Sequence, residues 1–307
     1  MTIKNDIILW NNEKDSFSFF KIPTEQQMIP KKMDIKIIAT DLDGTLLAPD
    51  HVSITPRTLS ALTKAHSVEV KIAISTGRTL SLIKDVAEKL PFVDYIIYSN
   101  GSGVYDCNKK QTVFVQPIKK ETSGKIIDML DRLGVYYNVY AAGNIWLTPA
   151  SDTSIFEKVD LPKDFLHQFL ATAKNVPDIK NATADADTEM IISYFAPDEA
   201  RNEIMSFVKN SGELHTVSSF SDNIEIMSEK ASKGNAVKAI CDILGCTAEN
   251  AMTFGDAWND CSMLEFAEHS FAMENGDEKS KNSAKNICPS NAEDGVAQMI
   301  EKFILNS

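Results

Sequence analysis

Cysteine is scarce in this 307-residue sequence: five residues (Cys107, Cys241, Cys246, Cys261 and Cys288), with no C-x-x-C pair. An odd, unpatterned set argues against a disulfide framework and for reduced thiols in a cytoplasmic chain. A long basic run is missing too. Lys and Arg total 31 against 43 Asp and Glu, a formal charge of −12. That balance speaks against nucleic acid and membrane surfaces as partners. Any anionic ligand must be held by a local site working against the overall field. No stretch is long or apolar enough to cross a bilayer. The apolar clusters Ile7–Trp10 and Phe17–Phe20 are interrupted by Asp6, Glu13, Asp15 and Glu25, which is not the pattern of a secretory signal. The five histidines lack metal-ligand spacing and read as surface or packing residues. Glycine-rich nucleotide loops are absent as well. Gly101-Ser-Gly103 meets Asp106 where a dinucleotide fingerprint needs a third small residue, and no glycine precedes Ser232-Lys-Gly234 as a P-loop requires.

What the chain does have is alternation of strand and helix signals. Hydrophobic residues make up 43% of it, enough for a substantial core in one or two domains. Residues 1–33 read as an N-terminal extension, either an edge hairpin or a partly disordered segment. Ile35–Thr40 is a short apolar run that stops at acidic and glycine residues, as a buried strand does. Thr55-Pro56 supplies an N-cap and first-turn proline for a helix carrying Leu59, Leu62 and Ala65. Val70, Ile72 and Ile74 mark a second strand, Leu80 to Leu90 a second helix, and Tyr95–Tyr98 a third strand. This order predicts an α/β fold with a doubly wound parallel sheet, whose ligands bind beyond the C-terminal strand ends. The middle of the chain changes character. Helices near 121–133, 163–174 and 198–210 alternate with strands near 135–140, 145–148, 189–195 and 214–218, an α+β insert. From about residue 220 the first pattern resumes with strand Ile224–Met227, helix Ser232–Leu244 and strand Ala251–Phe254. The expected division is a core of 34–117 and 217–307 with an inserted cap of 118–216.

Polar clusters stand at the predicted strand ends. Asp41-Leu-Asp43-Gly-Thr45 holds two acids two residues apart, which face one pocket if the strand persists. Two such carboxylates repel unless a cation or a proton lies between them. Magnesium suits carboxylate oxygens, and a carboxylate can also act as a nucleophile or as an acid/base. An Asp-Gly turn after a strand is the ordinary alternative. Gly255-Asp256-Ala-Trp-Asn259-Asp260 adds acids at another strand end, where helix capping by Asp256 is the competing explanation. Thr76 and Gly77 offer a hydroxyl and free N–H groups to a phosphate, or simply a cap. Lys233 opens a helix and could neutralise phosphoryl charge, although most lysines are solvated. Tyr136, Tyr137, Tyr140 and Trp146 could face a substrate, but packing explains them as well.

In this order the motifs resemble those of the haloacid dehalogenase superfamily, in its Cof-like branch with a type IIB cap. Asp41-Leu-Asp-Gly-Thr-Leu46, Ser75-Thr-Gly-Arg78, Ser232-Lys-Gly234 and Gly255-Asp-Ala-Trp-Asn-Asp260 match the four motifs. The resemblance covers roughly residues 34–307. It implies a magnesium-dependent phosphatase that cleaves small phosphomonoesters, such as sugar phosphates, through an aspartyl-phosphate intermediate. Asp41 would be nucleophile and metal ligand. Asp43 would be general acid/base, with its backbone carbonyl on the metal. Leu42 through its N–H, Thr76, Gly77, Lys233 and Asn259 would hold the phosphate. Asp256 would ligate Mg2+ and Asp260 would support it from behind. The cap would close the site and select the leaving group, in a monomer or weak homodimer. Two alternatives stay open: a phosphosugar mutase on the same scaffold, and a non-catalytic binding protein that keeps the fold.

Overall fold

The structure, a computed structural model, describes residues 6–11, 16–21, 34–88, 90–148, 163–218 and 223–305. Strands β1 (Asp6–Asn11) and β2 (Ser16–Lys21) pair antiparallel as a hairpin forming its own sheet. It is not an edge of the main sheet. The rest of the expected extension lies outside the described residues.

The main sheet is built from β3 (Ile37–Asp41), β4 (Lys71–Ser75), β5 (Tyr95–Tyr98), β6 (Gly103–Asp106) and β7 (Gln111–Val115). Helices α1 (Pro56–Ser67) and α2 (Leu80–Glu88) connect its first strands. An inserted region then carries helix α3 (Lys120–Leu133), strands β8 (Tyr136–Ala141) and β9 (Asn144–Leu147), helix α4 (Lys163–Thr172), strand β10 (Lys174–Asn175) and helix α5 (Ile179–Ala182). Strand β11 (Thr188–Tyr194), helix α6 (Asp198–Ser211) and strands β12 (Leu214–Val217) and β13 (Asn223–Ser228) follow. The chain then returns through α7 (Lys233–Leu244), β14 (Ala251–Gly255), α8 (Cys261–Phe266), β15 (His269–Met273), α9 (Glu278–Ser283), β16 (Asn286–Cys288) and α10 (Gly295–Ile300).

Strand order in the main sheet is β16-β15-β14-β3-β4-β5-β6-β7. From β16 to β5 all pairs are parallel, and β5, β6 and β7 pair antiparallel. The parallel strands are apolar on both faces, as the sequence runs required. Ile38, Ile72, Ile74, Ile96 and Phe254 pack in the layer with Leu62 of α1 and Ile300 of α10. Ile37, Ala39, Ala73 and Ile97 pack in the opposite layer with Val237 and Ile240 of α7. Each buried Ile or Leu contributes about 1.5–3 kcal/mol by leaving water. The expected caps form: Thr55 Oγ1 accepts from Thr58 N at 3.2 Å, and Ser232 Oγ from Asn235 N at 3.1 Å.

The second sheet has the order β10-β9-β8-β11-β13-β12. One face packs with Ile126 and Leu130 of α3, Ile179 of α5 and Ile204 of α6. On its other face Tyr140, Met190, Ile192, Tyr194 and Met227 meet Phe169 of α4 and Leu82 of α2 in the core layer. Two sequence expectations are corrected here. The sequence pattern places Ile224–Met227 in the core at 217–307, whereas β13 lies in the second sheet, between β11 and β12. Its alternation puts Ile224 and Ile226 into the cluster under α3 and α6. Strand β3 ends at Asp41, so Asp43 does not share its face by strand alternation. Asp43 (φ −83°, ψ 119°) and Gly44 (φ 83°, ψ −7°) turn the chain out of the strand direction instead.

Candidate active site

Four adjacent strands, β14, β3, β4 and β5, end side by side and deliver the motif residues to one edge. Asp41 closes β3 opposite Ser75, and Ser75 lies opposite Ile97 of β5. Thr76 N donates to Ile97 O at 2.9 Å, and Asn100 N to Thr76 O at 3.0 Å, which ties the loops after β4 and β5 together. Lys233 enters from the first turn of α7. That turn sits directly against Gly101 (φ +93°), where a Cβ would lie 2.2 Å from the Ser232 carbonyl carbon. Only glycine permits that approach.

At the centre, Lys233 is 0% exposed, and its Nζ donates to Asp41 Oδ1 at 2.5 Å and Asp260 Oδ1 at 2.6 Å. The second oxygen of Asp260 accepts from Asp256 N at 2.9 Å and Ala257 N at 3.0 Å. Asp256 Oδ1 accepts from Thr45 Oγ1 at 2.8 Å. The turn that follows is capped at Ala257, whose N–H donates to Asp260, while the Asp256 carboxylate takes the Thr45 hydroxyl instead. Asp43 leaves this group, and its carboxylate receives both Arg78 Nε at 3.1 Å and Nη2 at 2.7 Å.

Buried acids outnumber the one ammonium at this site. Burial pushes the Asp41 carboxyl well above its usual range, Lys233 opposes this, and Asp260, Asp256 and Asp43 add to it. Burial and the charge of Asp260 push Asp256 up to about 7. Burial favours neutral Lys233, but Asp260 and Asp41 outweigh it and hold the ammonium above its usual range. One ammonium cannot neutralise three carboxylates. Asp41, Asp256 and Asp260 each offer an oxygen within 4.8 Å of the others. These hard oxygen donors suit Mg2+. Both oxygens of Asp260 already have donors, so Asp41 and Asp256 are the acids better free to bind an ion, with Asp260 behind them. Gly44 leaves room: a Cβ there would stand 2.4 Å from Asp256 Oδ2.

The other expected residues surround this group. Leu42 is buried with its side chain in the core layer. Thr76 Oγ1 accepts from Arg78 N at 3.2 Å, and Asn259 Nδ2 donates to Asn100 Oδ1 at 3.0 Å. Tyr137 packs under α3 and donates to Asp131, in keeping with a packing role, whereas Tyr140 lies on the face toward α2. Three roles do not follow from the sequence, although Arg78 and Asn100 stand in polar clusters at predicted strand ends. Arg78 clamps Asp43. Asn100 links two loops. Glu225 of β13 accepts from Asn100 Nδ2 at 2.6 Å. The signal for Glu225 was available: a lone acid within the apolar strand Asn223-Ile-Glu-Ile-Met227.

Comparisons with known proteins show the family. The haloacid dehalogenase-like hydrolase family matches residues 38–300. The 5-amino-6-(5-phospho-D-ribitylamino)uracil phosphatase YcsE of Bacillus subtilis is 30% identical over 274 residues, spanning 89% of this chain and 97% of its own. The pyridoxal phosphate phosphatase YbhA of Escherichia coli is 25% identical over 289 residues, spanning 89% of this chain and 100% of its own. A haloacid dehalogenase-like hydrolase from B. subtilis superposes with a TM-score of 0.74 at 27% identity, covering 87% of this chain and 99% of that one. A subclass IIB sugar phosphatase of the superfamily superposes with a TM-score of 0.73 at 22% identity, covering 87% of this chain and 98% of that one. With its four motifs on adjoining strand and helix ends and this match across most of its length, the chain belongs to the haloacid dehalogenase-like hydrolases.

Proposed function

We propose that the protein is a Mg2+-dependent phosphatase of small phosphomonoesters, sugar phosphates or similar metabolites, working through a phosphorylated Asp41. The observation that carries this reading is the buried Asp41–Lys233–Asp260 group at the strand ends, with Asp256 alongside. A carboxylate beside one ammonium and a divalent-ion site is equipped to attack phosphorus rather than merely to bind it. The relatives named as phosphatases of a ribitylaminouracil phosphate and of pyridoxal phosphate favour small metabolite esters as substrates.

In this reading Asp41 Oδ attacks phosphorus and the ester P–O bond breaks. Asp43 gives its proton to the departing oxygen, then takes one from the water that hydrolyses the acyl phosphate. Arg78 fixes the Asp43 rotamer. Lys233, Thr76, the N–H groups of Leu42 and Gly77, and Asn259 hold the phosphoryl oxygens. Asp41, Asp256 and the Asp43 carbonyl would hold Mg2+, which would offset charge on the phosphoryl oxygens. The division into a core and a cap over it belongs to this proposal, with the second sheet selecting the leaving group.

The test is phosphate release from a panel of sugar, nucleotide and vitamin phosphates, with Mg2+ and with chelator, by wild type and Asp41→Asn. Turnover that needs both the metal and Asp41 supports the reading. Turnover that survives in Asp41→Asn sinks it.

A further inference from the structure

A buried acid on the second sheet reaches the strand ends of the first. Glu225 is 3% exposed, in mid-strand opposite Ile192. Its two oxygens have separate partners: Oε1 accepts from Asn223 Nδ2 at 2.8 Å and Oε2 from Asn100 Nδ2 at 2.6 Å. Asn100 is itself 2% exposed, and its Oδ1 accepts from Asn259 Nδ2 at 3.0 Å. The same amide lies against Gly77, where a Cβ would stand 3.1 Å from Asn100 Oδ1. Asn100 thus touches both loops that the proposed function assigns to phosphate.

The direction of this chain follows from the chemistry of its members. The Asn100 NH2 donates to Glu225 Oε2, which leaves the Asn100 oxygen facing Asn259. That oxygen also only accepts, so Asn259 must present its NH2. One of those N–H bonds goes to Asn100, and the second remains for an anion. If Glu225 were removed, the Asn100 amide could turn over and offer its NH2 to Asn259. Asn259 would then present its oxygen to Asn100 in turn, and its NH2 would lose the anchor that aims it.

We propose that Glu225 is a positioning residue: acting through Asn100, it orients Asn259 as a donor to the phosphoryl group. This rests on the reading of Asn259 as a phosphate holder, and the experiment separates the two. Inorganic phosphate is the probe, measured as a competitive inhibitor of p-nitrophenyl phosphate hydrolysis in Mg2+. Wild type is compared with Glu225→Ala, Glu225→Gln, Asn259→Ala and the double variant Glu225→Ala/Asn259→Ala, each checked by thermal unfolding.

Glu225→Ala is expected to raise both the phosphate Ki and KM about tenfold, with a smaller change in kcat. Glu225→Gln recovers most of this, because its amide oxygen still accepts from Asn100. In the Asn259→Ala background, Glu225→Ala adds nothing further, which a general packing defect would not reproduce. A Ki unchanged in Glu225→Ala but raised in Asn259→Ala overturns the inference and leaves the phosphatase reading intact. Independent, additive effects overturn it too. An unchanged Ki in Asn259→Ala removes the premise and the inference together, and a wild type that neither binds phosphate nor turns over removes the phosphatase reading as well. If Glu225→Ala does not fold, Glu225→Gln decides: near wild-type Ki supports the acceptor role, and a Ki as high as that of Asn259→Ala overturns it.

Discussion

At the residue scale the site is a problem of charge. Lys233 is the cation that makes a buried Asp41 and Asp260 tolerable side by side. Lys233→Met should therefore do two kinds of damage. It leaves two buried carboxylates facing each other, which costs roughly 3–5 kcal/mol of stability. It also removes the proposed donor to the phosphoryl group, so kcat/KM should fall by about 10²-fold or more. Denaturant unfolding and steady-state kinetics read the two separately. Added Mg2+ should return part of the stability, since an ion between the acids replaces some of the lost positive charge. Arg78 acts differently, as a fork on Asp43 rather than on the phosphate. Arg78→Lys keeps the charge but cannot make the two-point contact. It should lower kcat by about tenfold to a hundredfold with little change in unfolding, because Asp43, the proposed acid/base, loses its fixed position.

At the scale of elements, the turn after β3 decides whether the acids can converge. Gly44 is in the left-handed region, and its hydrogen faces Asp256. A Gly44→Ala protein should fold, yet need at least about tenfold more Mg2+ for half-maximal activity, because the methyl group displaces the carboxylate proposed to hold the metal. A Mg2+ titration of phosphate release checks this. The elements themselves were largely legible. Apolar runs ending at Asp41, Ser75 and Phe254 and the Thr55-Pro56 and Ser232 starts are local signals, and each formed as expected. The failures are of another kind. Strands β6 and β7 escaped because each has only a few apolar residues, around the turn at Asn108–Lys110. Strand β13 was recognised as a strand but given the wrong sheet. A strand's sequence states its two faces but not its partners, which in β11 lie 29 to 35 residues away. The same limit hid the site's cross-links. Each motif could be read from adjacent residues, while Arg78 on Asp43 and Glu225 on Asn100 require pairs 35 and 125 positions apart.

Across the whole molecule the two sheets meet at a second buried acid. Glu189 of β11 accepts from Gly143 N at 2.6 Å and from Ser99 Oγ at 3.3 Å, while its backbone carbonyl accepts from Ser102 Oγ at 2.8 Å. Burial pushes its carboxyl up to about 7 from an ordinary value of 4.5, with the hydrogen bonds opposing. Between those two values the folded protein holds a proton that the unfolded chain releases. This acid's contribution to stability therefore falls as pH rises from about 4.5 to about 7, and stays low above that. Glu189→Gln should be as stable as wild type near pH 4.5 and more stable by roughly 1–3 kcal/mol at pH 8. Urea unfolding at the two pH values tests this, and a difference independent of pH would contradict it. The claim on which everything else depends is covalent. It is tested most directly by mixing the Asp43→Asn protein with Mg2+ and a turned-over phosphate ester, quenching in acid, and mapping phosphorylation by mass spectrometry. With the acid/base group removed, hydrolysis of the intermediate should be slow enough for one phosphoryl group to accumulate on Asp41. A phosphoryl group on another residue, or turnover in this variant with none on the protein at any time, would contradict the account.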